Sequence, residues 1–306
     1  PGVLWMHNDG PGKDVYALST QATLLATFDF DKSVEDTEDI AVGPGPLDGV
    51  SYLYVGDIGG NSFPSGGRSS VKIVRIPEPS VDLAWAADPR SPKFDGVETF
   101  TLAYPDGSYD AECLMVDPLS GDVLVATKQD VGARLYRANI TTLTNKSTVT
   151  MQYVSTVAFN LVSGGDISAD GTQIVLRRED LAMSWARATN QTIGAALAAA
   201  GVSTPVVGPP SEPNGEAVAL LPDGTGYVTI SEGENPVLYV FKAQCPTLPA
   251  PLPAWAQGTF NGYVEERGLS TMTITAAGKI TGKITMAGTN FTFSASSYWA
   301  GSDPTR

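Results

Sequence analysis

Glu38-Asp39-Ile40-Ala41-Val42 runs into a loop of Gly, Pro and Asp and returns as Tyr52-Leu53-Tyr54-Val55-Gly56-Asp57. Two apolar runs of β-type residues separated by turn residues read as an antiparallel hairpin. Such pairing puts the acids at the start of the first run on the same side as the acid that ends the second. The unit recurs. Asp110-Ala111-Glu112 opens Cys113 to Val116, turns through 117–121 and returns to Lys128-Gln129-Asp130. Asp166-Ile167-Ser168 turns at Asp170-Gly171 and returns to Arg177-Arg178-Glu179-Asp180; Glu216 to Leu220 turns at Asp223-Gly224 and returns to Ser231-Glu232. Val3 to Met6, ending His7-Asn8-Asp9, matches a fifth return strand. Four of the returns are followed by a third run holding an aromatic (Tyr16, Tyr136, Trp185, Tyr239), and outer runs follow at 23–28 and 97–103. Repeats of about fifty residues with four short strands predict an all-β chain folded as a β-propeller. Five blades are expected, with six as the alternative.

Composition agrees. A chain of 306 residues with 42% hydrophobic residues can bury one large core, and 32 glycines with 22 prolines suit many turns and few helices. Only 191–200, with Ile193, Ala196, Leu197 and Ala200 on one face, reads as a helix. The net charge of −14 excludes a nucleic-acid binder, which needs basic surface to displace counterions. No apolar run approaches the roughly twenty residues that span a bilayer. Two cysteines make no disulfide framework: Cys113 reads as a buried small hydrophobe, and its pairing with Cys245 is left open. Sequons at Asn139, Asn145, Asn190 and Asn290 fit a secreted, extracellular protein.

The propeller is expected over 1–245, a Pro-rich linker over 246–257 and a small antiparallel β-meander or partial barrel over 258–306, with strands at 260–264, 270–275, 279–286 and 290–296. The meander ends before a closed core is obvious, so truncation or pairing of its last edge with a partner strand is expected. The first blade lacks an inner strand. A processed N-terminus is therefore expected, with the N-terminal strand packed beside blade five, because a ring leaves edges exposed unless strands from both chain ends meet.

Strand alternation assigns one rim to Glu38, Asp39, Asp57, Asp110, Glu112, Asp166 and Glu216. Converging carboxylates repel unless a cation or proton neutralises them, and an all-oxygen donor set with irregular loops suits Ca²⁺. These seven acids are the candidate metal ligands. Lys128 and Arg178, with Asn8, are candidates for binding an anionic small molecule. His7, Asp9 and Arg177 are candidates for catalysis: a metal with basic neighbours is the equipment of phosphoester hydrolysis, and His7 is the only imidazole available as a base. The competing reading assigns the acids to capping strand-end N–H groups and to ion pairs, His7 to a structural role, and the protein to non-catalytic binding, adhesion or assembly on a cell-surface ligand.

Trp5-Met6-His7-Asn8-Asp9-Gly10, Glu38-Asp39-Ile40-Ala41, Tyr54 to Gly59, Arg75-Ile76-Pro77-Glu78-Pro79, Asp110-Ala111-Glu112, Gly165 to Gly171 and Gly215-Glu216-Ala217 resemble, in order, a family of secreted, mostly bacterial, largely uncharacterised propeller proteins. More distantly the chain resembles esterase-like phytase and gluconolactonase-type propellers. That resemblance implies a central calcium or other divalent ion and hydrolysis of a phosphoester or lactone. The chain departs from the family pattern at Gly10, Thr37 and Gly60, the last standing where the family has a second Asp.

Overall fold

The computed structural model describes residues 2–60, 66–242, 258–264, 268–275, 279–286 and 289–295. The chain divides into two compact units, Pro1–Lys242 and Ala243–Arg306. Cys245 and the predicted linker fall outside the described residues.

The first unit is five sheets in chain order, antiparallel except for one added strand. Sheet one is β1 (Val3–His7), β2 (Asp14–Ser19) and β3 (Leu24–Asp29). Sheet two is β4 (Thr37–Pro44), β5 (Ser51–Asp57), β6 (Ser70–Pro77) and β7 (Glu98–Ala103). Sheet three is β8 (Ala111–Val116), β9 (Val123–Thr127), β10 (Ala133–Ala138) and β12 (Gln152–Val157), while the intervening β11 (Thr148–Thr150) leaves it to pair in parallel with β7. Sheet four is β13 (Gly164–Ile167), β14 (Gln173–Arg178), β15 (Leu181–Ala186) and β16 (Val202–Thr204). Sheet five is β17 (Gly215–Leu220), β18 (Gly226–Ser231) and β19 (Tyr239–Lys242). The parallel strand β11 was not legible in the sequence. A short helix, α1 (Ile193–Leu197), is capped by Thr192 and buries Ile193, Ala196 and Leu197, while Ala200 stays exposed.

Hydrophobic clusters sit between successive sheets. Phe28, Leu53, Val55 and Val74 join sheets one and two; Tyr54, Ile73, Leu114, Val125 and Tyr136 join two and three; Met115, Leu124, Ile174 and Leu176 join three and four. The cluster between sheets four and five has only Val175, Ala182 and Val218 as buried members. The 78–96 excursion folds back on sheet one, where Phe94 stacks on Phe28 at 4.7 Å. Face-to-face packing of successive up-and-down sheets, with first strands neighbouring one another, is a β-propeller arrangement.

The first strands β4, β8, β13 and β17 approach closely. The two glycines of β13 permit this: a Cβ on Gly164 would overlap the carbonyl oxygen of Glu216, and one on Gly165 would lie 2.8 Å from the Cys113 Sγ. Cys113 is a buried free thiol. Two carboxylates tie the strands together. Asp39 accepts the backbone N–H of Leu114 in β8 (2.8 Å) and that of Ile40 (2.8 Å). Asp166 does the same two sheets further on, accepting from Leu220 in β17 (2.7 Å) and from Ile167 (2.7 Å).

The second unit is a four-stranded antiparallel meander of β20 (Gly258–Val264), β21 (Gly268–Ile274), β22 (Ile280–Met286) and β23 (Thr289–Ala295). No helix among the described residues is long and apolar enough to cross a membrane.

Replacing Asp166 by Ala leaves the Leu220 N–H without its acceptor in a shielded position. A loss of about 1–3 kcal/mol is expected, measured as a lower urea midpoint at unchanged slope.

Candidate functional site

Strict alternation does not aim the rim acids; β-bulges do. The β4/β5 register shifts between Thr37 and Asp39, the β8/β9 register between Ala111 and Cys113, and the β17/β18 register between Gly215 and Ala217. In each sheet the extra residue is a glutamate: Glu38, Glu112 and Glu216. A bulge bends the strand and re-aims one side chain. All three line one cavity of about 340 Å³. Sheet four has no such shift at this point and carries Gly165 instead.

The same cavity is lined by Trp5, Met6, His7, Asn8, Asp9, Asp36, Asp39, Lys128, Ala217, Ile230 and Glu232. Asp9 is brought there by pairing of Gly10 with Thr37, in which the Thr37 N–H meets the Gly10 carbonyl at 3.2 Å. The oxygens of Asp9, Asp36 and Glu38 can be chosen so that all lie within 4.8 Å of one another. Gly59 leaves them room, since a Cβ there would sit 2.6 Å from the Asp36 Oδ2 and would overlap the Glu38 Oε1.

Crowding shows in the protonation equilibria. Burial, then Glu112, Asp9, Asp36 and Asp110, pushes the Glu38 carboxyl up to about 10. Burial raises Glu112 to about 7 against the pull of Lys128, whose Nζ sits 2.5 Å from the Glu112 Oε2. Glu216 is raised as well, mainly by burial. Lys128 is raised too: burial opposes its charge, but Glu112, Glu216 and Asp110 outweigh it. His7 moves the other way, because burial outweighs Asn8 and Asp9 and favours the neutral ring. Its Nδ1 lies 3.0 Å from the Asn8 carbonyl. A carbonyl only accepts, so Nδ1 carries the proton and Nε2 keeps its lone pair.

Of the seven metal candidates, the cavity gathers Glu38, Asp39, Glu112 and Glu216. Asp39 is committed to backbone N–H groups, as is Asp166. Burial raises both, Asp166 to about 7 and Asp39 well above its ordinary value, against the pull of those donors. Asp57 is fully buried away from the cavity, accepts from Asp36 N–H (3.1 Å) and Arg68 (3.0 Å), and faces Lys72 at 3.4 Å. Asp110 accepts the Gly60 N–H at 2.7 Å, and a Cβ on Gly60 would meet the Tyr109 carbonyl at 2.9 Å, so this position offers no ligand.

The two arginines lie outside the cavity lining. Arg177 is fully buried and paired at 2.8 Å with the equally buried Glu212, and it also donates to the Ala217 carbonyl at 3.0 Å. It holds sheet four to sheet five and does not line this cavity. Arg178 binds Asp180 at 2.7 Å and the Asn160 side chain at 2.6 Å, with its guanidinium over Phe159. Neither arginine lines the cavity, and β13, the first-strand partner of β14, carries no bulge. Asp36 and Glu232 are cavity acids that the sequence pattern did not single out as ligands. Asp36 lies in the 29–39 connector, which has no repeat counterpart to flag it.

A scan against protein-family models finds no match, and a search of curated proteins finds none. Among solved structures the chain is similar to hydrazine synthase of Kuenenia stuttgartiensis at 12% identity and TM-score 0.33, covering 81% of this chain and 62% of that one. It is similar to the periplasmic gluconolactonase PpgL of Pseudomonas aeruginosa at 12% identity and TM-score 0.39, covering 96% and 82%. It is similar to the Dos1 propeller at 11% identity and TM-score 0.33, covering 94% and 75%. The chain thus spans less than two thirds of the hydrazine synthase chain.

The buried charges make stability depend on pH. Raised carboxyls favour folding below their unfolded values and lose that advantage as pH rises through the folded ones. For Glu112 and Asp166 the loss spans about pH 4 to 7, and for Glu38 it continues towards pH 10. Chelated protein is therefore expected to melt higher at pH 5 than at pH 8; a flat or opposite profile contradicts the crowding. Glu212→Ala strands the Arg177 charge and is expected to cost about 3–5 kcal/mol by chemical denaturation.

Proposed function

We propose that the chain is a secreted, five-bladed β-propeller that holds a divalent cation, Ca²⁺ by its donor chemistry, and hydrolyses a neutral ester such as a lactone. The observation that carries the reading is the Asp9–Asp36–Glu38 cluster set beside the bulged Glu112 and Glu216. All donors are carboxylate oxygens on loops and bulges, which suits a hard cation with flexible coordination. The held-up Glu38 carboxyl supports the same reading: these acids are costly to ionise together without a positive charge.

Bound there, a cation supplies polarisation of the ester carbonyl and a more acidic water. The chain's own residues supply the rest. The Nε2 of neutral His7 accepts the proton of the attacking water as its oxygen bonds to the carbonyl carbon. Lys128, held by Glu112, stands on the cavity wall as the cation for charge developing on the carbonyl oxygen. Breakage of the acyl C–O bond releases the alcohol oxygen, which takes the proton from His7. With Arg177 and Arg178 paired elsewhere, the cavity has one lysine among many acids. That balance disfavours a phosphoester dianion and favours an uncharged ester.

A second reading has its own support. Asp9 follows sheet one while Asp36 and Glu38 belong to the entry of sheet two, so a cation there ties two sheets and can serve a non-catalytic extracellular binding module.

Metal analysis and melting before and after chelation test the cation. Millimolar Ca²⁺ is expected to raise the melting temperature by about 5 °C or more at pH 7.5, and Asp9→Asn with Glu38→Gln to weaken Ca²⁺ binding at least ~10-fold. No bound metal and no shift sinks the cation. His7→Gln is expected to abolish lactone and aryl-ester turnover while leaving Ca²⁺ binding intact; a wild-type protein that binds Ca²⁺ without turnover supports the binding module.

A further inference from the structure

A second cavity, of about 150 Å³, shares His7 and Asn8 with the central one and is bounded by the 8–14 loop. Phe30 and Val55, both buried, give it an apolar part, and Thr37 lines it as well. Backbone bonds pin its walls: the Phe30 N–H donates to the Lys13 carbonyl at 3.0 Å, and the Thr37 N–H to that of Gly10 at 3.2 Å. The cavity is therefore formed before any ligand arrives. Lys13, the cation of its lining, is taken by Asp29 at 2.7 Å, and Asp14 stands beside it, so an anionic ligand is not favoured.

Two polar atoms on its wall are left for a ligand. Thr37 is only 3% exposed, yet its hydroxyl has no hydrogen-bond partner among the described residues. A buried hydroxyl in that state is costly, and since Thr37 is otherwise enclosed, the cavity is where a partner can stand. His7 spends its Nδ1 proton on the Asn8 carbonyl, which leaves Nε2 as an acceptor. An alcohol matches this pair: its oxygen accepts from the Thr37 O–H, and its own O–H donates to Nε2. A cavity of about this volume holds one benzene ring, so a compact alcohol of about six non-hydrogen atoms fits, its hydrocarbon against Phe30 and Val55.

We propose that this side cavity is the subsite for the alcohol portion of the ester, a compact uncharged group whose oxygen lies between the Thr37 hydroxyl and the His7 Nε2. That role rests on the ester-hydrolysis reading; binding of the free alcohol needs neither the cation nor turnover. In hydrolysis the acyl C–O bond breaks with its electron pair on the alcohol oxygen. The proton that His7 took from water passes from Nε2 to that oxygen, and the Thr37 O–H donates a hydrogen bond to it as charge develops. His7, on the wall of both cavities, is placed to take the proton in one and deliver it in the other.

The test titrates cyclopentanol into the protein in chelator and follows it by NMR through His7, the chain's only imidazole. Saturable shifts of the His7 ring and Overhauser contacts to the Val55 methyls are expected, while 1-adamantanol, too large for the cavity, gives neither. Thr37→Val keeps the shape, removes the hydroxyl and is expected to weaken cyclopentanol binding at least ~5-fold, with its melting temperature as the check on folding. No saturable binding, contacts to Ile230 of the central cavity in place of Val55, or undiminished affinity in folded Thr37→Val would each overturn the proposal. Lactone hydrolysis without alcohol binding keeps the hydrolase reading and overturns the subsite. Alcohol binding against Val55 without turnover in Ca²⁺ supports the alcohol site and counts against hydrolysis.

Discussion

The structure turns on how closely the first strands of its sheets approach one another. Where β13 passes β17 and β8, only the absence of a side chain at Gly164 and Gly165 lets the backbones come together. Strands this close shut water out, so polar groups there must be satisfied by protein. Asp39 and Asp166 meet that demand by reaching across to the N–H groups of Leu114 and Leu220. An acid at this position joins one sheet to the next, at the cost of a carboxyl that burial holds above its ordinary range.

The same closeness creates the site. A strictly alternating strand would send Glu38 and Asp39 to opposite faces. With the bulge between Thr37 and Asp39, both acids line the cavity but differ in role: Asp39 bonds the N–H of a neighbouring strand, while Glu38 turns its carboxyl to the cavity. Sheets three and five repeat the device with Cys113 and Ala217 at the joining position, where no carboxylate is offered, and Glu112 and Glu216 at the aimed one. Negative charge is thus concentrated where solvent cannot screen it well. The raised Glu38, Glu112 and Glu216 carboxyls are the electrostatic record of that concentration, and a positive ion or protons are the available remedies.

Charge balance also separates the axial lysine from the arginines. Lys128 ends a second strand whose first-strand partner is bulged, and it meets Glu112 at the cavity. Arg177 and Arg178 end a strand whose partner is regular. Arg177 turns into the interface of sheets four and five, where the hydrophobic cluster is small and the ion pair with Glu212 and the bond to the Ala217 carbonyl join the two sheets. Breaking such a pair strands a charge, which is why this arginine is structural.

Much of this was legible in the sequence. The Asp-Gly and Ser-Gly turns between apolar runs located the first hairpin of each of sheets two to five, because glycine alone supplies positive φ cheaply, and recurrence of the unit gave the propeller. Ile193, Ala196 and Leu197 marked the helix, and the meander's strands fell within two residues of their places. The concentration of acids on one rim was also readable, since pairing direction follows from connectivity. Which acid faces the cavity was not. Glu38 and Asp39, or Glu112 and Asp110, are chemically alike, and a one-residue bulge that separates their fates leaves no mark in composition or period. Asp36 joined the cluster only because two loops meet, and Arg177 left it because Glu212, distant in sequence, waits beside it. Local backbone preference writes strands and turns into the sequence; the direction of a side chain at the axis depends on register and on neighbours from other sheets, and only the tertiary structure supplies those.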